Sequence, residues 1–380
     1  MLPVFSFATA TEIRFGRNEA RRAVPDMACL GQRALLVHGR TAERAEWLLA
    51  ALQAEGCSVT AFSVPQEPDV AMIEAGVDAA RAAGARSVIA IGGGAVIDAG
   101  KAIAALVPSP RQILDHLEVV GHGLPLETDP LPFVALPTTA GTGAEVTRNA
   151  VIAVPEAQRK VSLRDRRMLP RIAIVDPSIT DGVPRAVTLA SGLDAVTQVI
   201  EPFISTKANP MTDALCRPAI VTGLAALVSL MDGDSPEARD RMAWTSLCGG
   251  LALANAGLGA VHGLAGPLGG LSGAAHGAIC GALLPHVLEA NAARASGDTA
   301  ERLDMVRQDL AVALSCNPRV VFAALGTWSR QAGLPGLDAQ GISSEQRAQA
   351  AEMAASSSSM KANPVPLDAE ALRRIMEHAR

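Results

Sequence analysis

Ser87-Val88-Ile89-Ala90-Ile91-Gly92-Gly93-Gly94-Ala95-Val96-Ile97-Asp98-Ala99-Gly100-Lys101 is the stretch on which the fold turns. Its first residues form an apolar run of strand length, and three glycines close it. Helical spacing then takes over to about Leu106. Buried strand, glycine turn and helix in series make the repeating unit of a helix-wound parallel sheet. The pattern recurs on both sides. Ala34-Leu35-Leu36-Val37-His38 reads as a strand, followed by a helix over 42–55. Ser58-Val59-Thr60-Ala61-Phe62-Ser63-Val64 reads as a second strand, ended by Pro65, with a helix over 70–83 behind it. Phe133-Val134-Ala135-Leu136-Pro137 reads as a further strand. Strands separated by single helices imply right-handed parallel crossovers.

From about Val183 onward strand signals vanish, and Ala/Leu/Val stretches at helical spacing dominate. The expected architecture is an α/β domain of the Rossmann-like, dinucleotide-binding type over 1–178 and an all-α domain over 179–380. The boundary falls near Ile174-Val175-Asp176-Pro177, where an apolar run meets a turn. A small Ser-rich patch over 354–359 reads as a loop, and no internal repeat is visible.

Composition narrows the function. Of 380 residues, 49% are hydrophobic and 19% charged, which suits a large buried core and excludes global disorder. A formal charge of -5 without a basic run argues against broad nucleic-acid binding. Aromatics at 3%, with no Tyr, remove the stacking platforms of single-strand binders. No uninterrupted apolar run reaches the ~18 residues that span a bilayer, so no membrane role is expected. The first residues, Met1-Leu2-Pro3-Val4-Phe5, lack the marks of a secretory signal. Six dispersed cysteines without a C-x-x-C read as buried reduced thiols, and a cytoplasmic location is expected.

The glycine turn lets backbone N–H groups approach a phosphate at the positive end of a helix, or else it is a tight turn without a ligand. It is not G-x-G-x-x-G, because Ile97 holds the third glycine slot, and no Gly-Lys-Ser/Thr follows. A second loop, Pro137-Thr138-Thr139-Ala140-Gly141-Thr142-Gly143-Ala144-Glu145-Val146-Thr147, also follows a strand. Both loops then lie at the carboxyl edge of one sheet, where open α/β sheets bind ligands. In the helical half, Asp194, His262 and His276 each sit among small and apolar residues. A lone histidine in such surroundings is usually a hydrogen-bonded core residue. Two of them with a carboxylate suit a first-row divalent ion, in the three-ligand arrangement of catalytic zinc. Such an ion stabilises charge on an alcohol or carbonyl oxygen. Beside a nicotinamide, hydride transfer is then the natural chemistry.

At this point the chain resembles the iron-containing (group III) alcohol dehydrogenase family over nearly its whole length. The stretch from Gly92 to Lys101 is similar to that family's GGGSxxDxxK loop, and the one from Pro137 to Thr147 to its PTTAGTGSEVT segment. Ala173-Ile174-Val175-Asp176-Pro177 and Asn209-Pro210-Met211-Thr212-Asp213-Ala214-Leu215 fit as well. The resemblance implies a dehydroquinate synthase-like fold, with an N-terminal dinucleotide-binding domain, a C-terminal helical domain and the active site in a cleft between them. It implies NAD or NADP bound at Gly39 and Gly92, with Gly93, Gly94 and Ala95 on the pyrophosphate and Asp98 toward the nicotinamide amide. Thr138, Thr139 and Thr142 would meet phosphate or ribose, and Lys160 the nicotinamide ribose. Asp194, His262 and His276 would hold Zn or Fe and carry catalysis on a small alcohol/aldehyde pair, in a homo-oligomer such as a dimer.

Three departures stand out. The family's D-A-x-x-H carries Gln198 in its histidine slot; an amide oxygen is the weaker donor, which favours zinc on the other three ligands, with Gln198 distant or weakly bound. The second histidine of H-x-x-x-H is Gly266, which predicts a substrate bulkier than ethanol, or one with its own polar group. The first strand ends at Gly39, where NAD-using members often place Asp, so NAD(H) and NADP(H) both remain open, with Arg40 a potential partner of a 2′-phosphate. The alternatives are a metal-independent maleylacetate reductase, a dehydroquinate synthase-type lyase, and a non-catalytic descendant of the fold. His116 and His122 read as solvated loop residues, His286 as a helix-start core residue, Trp47, Trp244 and Trp328 as packing, and 164–167 as a solvated face.

Overall fold

Apolar runs of five or six residues, rich in Val, Ile, Leu and Ala, suit strands buried on both faces. They form the centre of the sheet in a computed structural model that describes residues 4–355 and 357–380. In chain order the strands are β1 (Glu12–Phe15), β2 (Arg33–His38), β3 (Ser58–Ser63), β4 (Ser87–Gly92), β5 (Phe133–Pro137), β6 (Asn149–Val154), β7 (Arg159–Arg164) and β8 (Ile172–Val175). Six make one parallel sheet in the order β1-β8-β5-β4-β2-β3, and β6 and β7 pair as an antiparallel hairpin. Successive connections leave β2 toward β3 and β4 toward β5, in opposite directions along the sheet. The carboxyl ends of β2 and β4 therefore flank a switch point, and His38 is in register with Ile91 there.

Contacts divide the chain into two units. Of the described residues, one holds 9–139 and 143–180; the other holds 4–8, 140–142, 181–355 and 357–380. In the sheet unit the helix Gly94–Leu106 is buried along almost its whole length. In the second unit the helix Arg185–Ile204 is buried on every face from Gly192 to Ile204 and packs against Pro210–Asp232, Pro236–Ala256 and His276–Ala292. The family-like segment around Asn209 has a structural reason. Asn209 Oδ1 accepts the Met211 and Thr212 N–H groups, Thr212 Oγ1 accepts the Asn209 N–H, and Pro210 fills the first helical turn.

Several expectations need correction. His116 is not solvated: it is 3% exposed, with Nδ1 2.9 Å from Leu124 O and Nε2 3.2 Å from Ser109 Oγ. Cys29 is exposed, whereas Cys57, Cys216, Cys248 and Cys280 are buried; all six are free. Within 164–167, Asp165 accepts from the Arg167 backbone and guanidinium, so that turn is knit rather than merely solvated. His286 lies mid-helix in His276–Ala292, half-buried, and burial lowers its pKa to about 4. Among the described residues the helix Pro210–Asp232 is by length and composition alone long and apolar enough to cross a membrane, although Asp213 and Arg217 interrupt its apolar run; half of its most apolar window is buried inside the protein. Of the Ser-rich patch, Ser356 lies outside the described residues.

Candidate active site

The glycine turn sits at the switch point. Gly93 caps the helix Gly94–Leu106 in an extended conformation, and its carbonyl accepts from Val96 and Ile97. The N–H groups of Gly94 and Ala95 belong to the first helical turn, whose donors have no partner within the helix. A Cβ on Gly92 would collide with the Val96 side chain. Thr138 N–H donates to Gly92 O at 2.9 Å, and Thr139 Oγ1 would stand 3.5 Å from a Cβ on Gly93. The two loops thus lie side by side at the sheet edge. Gly39 follows β2 across the switch point, and a Cβ there would meet Val96 at an ordinary 3.8 Å. Arg40 donates to Pro65 O at 3.2 Å. This is a helix N-terminus beside a topological switch, the arrangement that receives a dinucleotide pyrophosphate.

Two residues assigned to the nicotinamide have protein partners. Asp98 Oδ2 accepts the Val151 N–H at 3.0 Å, and Oδ1 lies 3.7 Å from Lys101 Nζ. Burial raises the Asp98 carboxyl, and Lys101 opposes that shift. Lys101 is itself 1% exposed and donates to Ala144 O, Thr147 Oγ1 and Asn149 O at 2.7–2.9 Å. Lys160 forms an ion pair with Glu67. Thr142 belongs with the helical unit, unlike Thr138 and Thr139.

The helical unit brings Asp194, His262 and His276 together. Asp194 is 2% exposed on the buried helix Arg185–Ile204; His262 lies in the first turn of Ala260–Ser272, and His276 opens His276–Ala292. His262 Nε2 is 3.2 Å and His276 Nε2 3.8 Å from the same oxygen, Asp194 Oδ1. That oxygen is buried and makes no hydrogen bond. Two imidazole nitrogens facing one buried carboxylate oxygen that has no hydrogen-bond partner suit a cation at their centre, and the donor set suits a first-row divalent ion. Burial disfavours charge on both imidazoles, but Cys280 and Asp194, joined by Glu201 at His262, outweigh it: His262 is held well above its usual range and His276 is raised to about 9. Burial pushes Asp194 up, yet the two histidines bring it below its ordinary value. The cluster attracts positive charge, and its exposed side is His276, 35% exposed against 7% for His262.

Close packing fixes these positions. A Cβ on Gly277 would fall inside the backbone of Ala190, so the helix opened by His276 touches the helix bearing Asp194 at a glycine-sized gap. Gln198, one turn beyond Asp194, spends its amide elsewhere: Nε2 donates to Gly141 O at 2.8 Å. Its side chain also packs against Gly249.

Two residues of the site escaped sequence reasoning. Glu201, 2% exposed, accepts from His262 Nδ1 at 2.6 Å through Oε2 and from the Val261 N–H at 2.7 Å through Oε1. This holds the His262 ring with Nδ1 on Glu201 and Nε2 facing Asp194 Oδ1. Its signal was present: positions 194, 198 and 201 share one face of a helix, and three polar residues on an otherwise apolar stretch need a purpose. Cys280 lies 3.6 Å from His276 Nε2 and 3.9 Å from His262 Nε2 through its sulfur. Its signal was the spacing His276–Cys280, i to i+4 on one helix.

Comparison with known proteins agrees with this layout. The sequence model described as iron-containing alcohol dehydrogenase matches residues 10–177, and that of the family's C-terminal domain matches residues 188–380. Alcohol dehydrogenase 4 of Saccharomyces cerevisiae is 33% identical over 336 residues, covering 86% of this chain and 85% of that protein. Lactaldehyde reductase of Escherichia coli is 38% identical over 229 residues, covering 60% of this chain and 59% of its own length. The crystal structure of a 1,3-propanediol oxidoreductase superposes with a TM-score of 0.91 at 28% identity, covering 100% of both chains. With both halves matched and the switch-point turn and histidine cluster in place, the chain belongs to the iron-containing alcohol dehydrogenase family.

Proposed function

We propose that this chain is an NAD(P)(H)-dependent oxidoreductase that interconverts an alcohol and its aldehyde. The convergence of Asp194, His262 and His276 on one buried, unpartnered oxygen carries the reading. When bound, the dinucleotide supplies a hydride carrier and the divalent ion supplies Lewis acidity toward a substrate oxygen. The residues do the positioning. Backbone N–H groups of Gly94 and Ala95 receive the pyrophosphate, Glu201 orients His262, and Asp194 provides the anionic donor. A metal-independent reductase would have no use for such a buried donor cluster.

The substrate in this reading is larger than ethanol. Gly266 lies one turn beyond His262, and a Cβ placed on it meets nothing within 4 Å. Space that an imidazole would fill is therefore open. A cytoplasmic location, in keeping with six free cysteines, and self-association as a dimer complete the reading; sedimentation at two concentrations checks the latter. The deciding experiment loads purified protein with Zn²⁺ or Fe²⁺ and follows oxidation of NADH and NADPH with aldehydes of increasing size. Turnover that favours aldehydes larger than acetaldehyde is expected. Absence of turnover with every aldehyde and both cofactors overturns the activity, and strict preference for the two-carbon pair overturns the size argument.

A further inference from the structure

We propose that Cys280, and not Gln198, supplies the fourth protein ligand of the divalent ion. The inference rests on the metal reading above and concerns the donor that replaces an imidazole this chain lacks. Cys280 is fully buried, on the first turns of His276–Ala292, four residues after His276 and on the same helix face. One ligating atom each from Asp194, His262, His276 and Cys280 lies within 4.8 Å of all the others.

Four of the six separations can be set against a common centre. With metal–nitrogen and metal–oxygen bonds of about 2.1 Å and a metal–sulfur bond of about 2.3 Å, tetrahedral angles set nitrogen–sulfur edges of about 3.6 Å and nitrogen–oxygen edges of about 3.4 Å. The observed nitrogen–sulfur edges are 3.6 and 3.9 Å, and the nitrogen–oxygen edges 3.2 and 3.8 Å. A sulfur packed only as a small hydrophobe has no reason to face two imidazole nitrogens at once.

The acceptor at Gly141 fixes which end of the Gln198 amide points where. A carbonyl oxygen demands N–H, so Nε2 is committed to it. Its remaining donor is a neutral amide oxygen, weaker toward transition metals than a thiolate. The Asp194 oxygen, buried and without a hydrogen bond, points independently to an ion at this place. On binding, the Cys280 thiol forms its bond to the metal and yields its proton to solvent. The resulting set of two nitrogens, one oxygen and one sulfur is softer than an all-imidazole set. It favours Zn²⁺ and Co²⁺ over Mg²⁺ and Mn²⁺. Four protein ligands leave substrate to enter as a fifth, an expansion known for catalytic zinc.

The test uses Co²⁺ as the probe on the full-length protein. One equivalent of Co²⁺ should give visible d–d bands together with a near-ultraviolet thiolate-to-cobalt charge-transfer band. Cys280→Ser should keep Co²⁺ binding, lose the charge-transfer band, and weaken affinity by about 100-fold, at or beyond the upper end of what an outer-shell partner contributes. Gln198→Ala should keep the band. X-ray absorption of the zinc-loaded wild-type protein, which needs no variant, should show a sulfur scatterer at about 2.3 Å. Stoichiometric Co²⁺ without a charge-transfer band, or zinc with only nitrogen and oxygen neighbours, overturns the role of Cys280 and leaves the metal site standing. Failure of the wild-type protein to take up either ion overturns both.

Discussion

Glu201 holds His262 from behind: Oε2 sits 2.6 Å from Nδ1, while Oε1 takes the Val261 N–H from the same helical turn. One carboxylate thereby sets both the orientation of the ring and the position of the backbone that carries it. Glu201→Gln keeps the size but loses the charge that makes the ring a better donor. Zn²⁺ affinity, read by competition with a chromogenic chelator, should fall about 10–100-fold. A change below about twofold would show that Glu201 only packs.

Loading the site should stabilise the fold. At Zn²⁺ concentrations 100 times the dissociation constant, linkage contributes about 2.7 kcal/mol, visible as a rise in melting temperature over chelator-treated protein. Asp194→Asn removes the anionic donor at the centre of the cluster and should abolish most of that rise. An undiminished rise in the variant would place the stabilising ion elsewhere.

Lys101 ties the helix Gly94–Leu106 to the loop and hairpin beyond β5 with three hydrogen bonds. Lys101→Met keeps most of the volume but strands three acceptors and leaves Asp98 without its cationic neighbour. A loss of about 3–5 kcal/mol is expected in chemical denaturation, because breaking one side of a buried pair leaves the other uncompensated. A loss under about 1 kcal/mol would contradict this.

Glu145 is buried, and burial raises its carboxyl from 4.5 to about 7. The folded protein therefore holds a proton that the unfolded chain releases near pH 4.5. More protons on the folded state mean that stability falls as pH rises between those values, by about 3 kcal/mol from this group. Glu145→Gln should lose this component. Relative to wild type, its unfolding free energy should rise between pH 5 and pH 8 in parallel denaturation series. A constant difference across that range would mean that Glu145 titrates normally.

Cofactor choice should respond to Gly39. The backbone there has room for a side chain, since a Cβ meets Val96 only at 3.8 Å. Gly39→Asp would offer a carboxylate to ribose hydroxyls and repel a 2′-phosphate. The ratio of kcat/KM with NADPH to that with NADH should drop at least about tenfold, equivalent to about 1.4 kcal/mol. An unchanged ratio would remove Gly39 from the cofactor site.

Legibility in the sequence followed the strength of the local pattern. β2, β4 and β5 were readable because each carries an unbroken apolar run ended by Gly, Pro or a polar residue, and β3 because its β-branched and aromatic residues run up to Pro65. β1 and β8 are only four residues long, too short for periodicity to register. In β7 the buried Val161 and Leu163 alternate with half-exposed or exposed Lys160, Ser162 and Arg164, but the charges around them suggested a solvated face. Asp194, His262 and His276 could be singled out as polar residues in apolar helices. Glu201 and Cys280 left weaker marks, a helix face shared with Asp194 and Gln198 and an i to i+4 spacing from His276; each has a common bland explanation that three-dimensional convergence removes. His116 was misread because its partners, Ser109 and Leu124, lie seven and eight residues away in irregular chain.

The glycine-sized gap between Gly277 and Ala190 bears on evolution as much as on geometry. A lone methyl group there would act as a wedge, prying the helix of one donor from the helix of another while leaving every donor atom intact. In the proposed metal reading, coordination is thus guarded by a residue with no chemistry of its own, and a lineage could forfeit its ion without altering a single ligand.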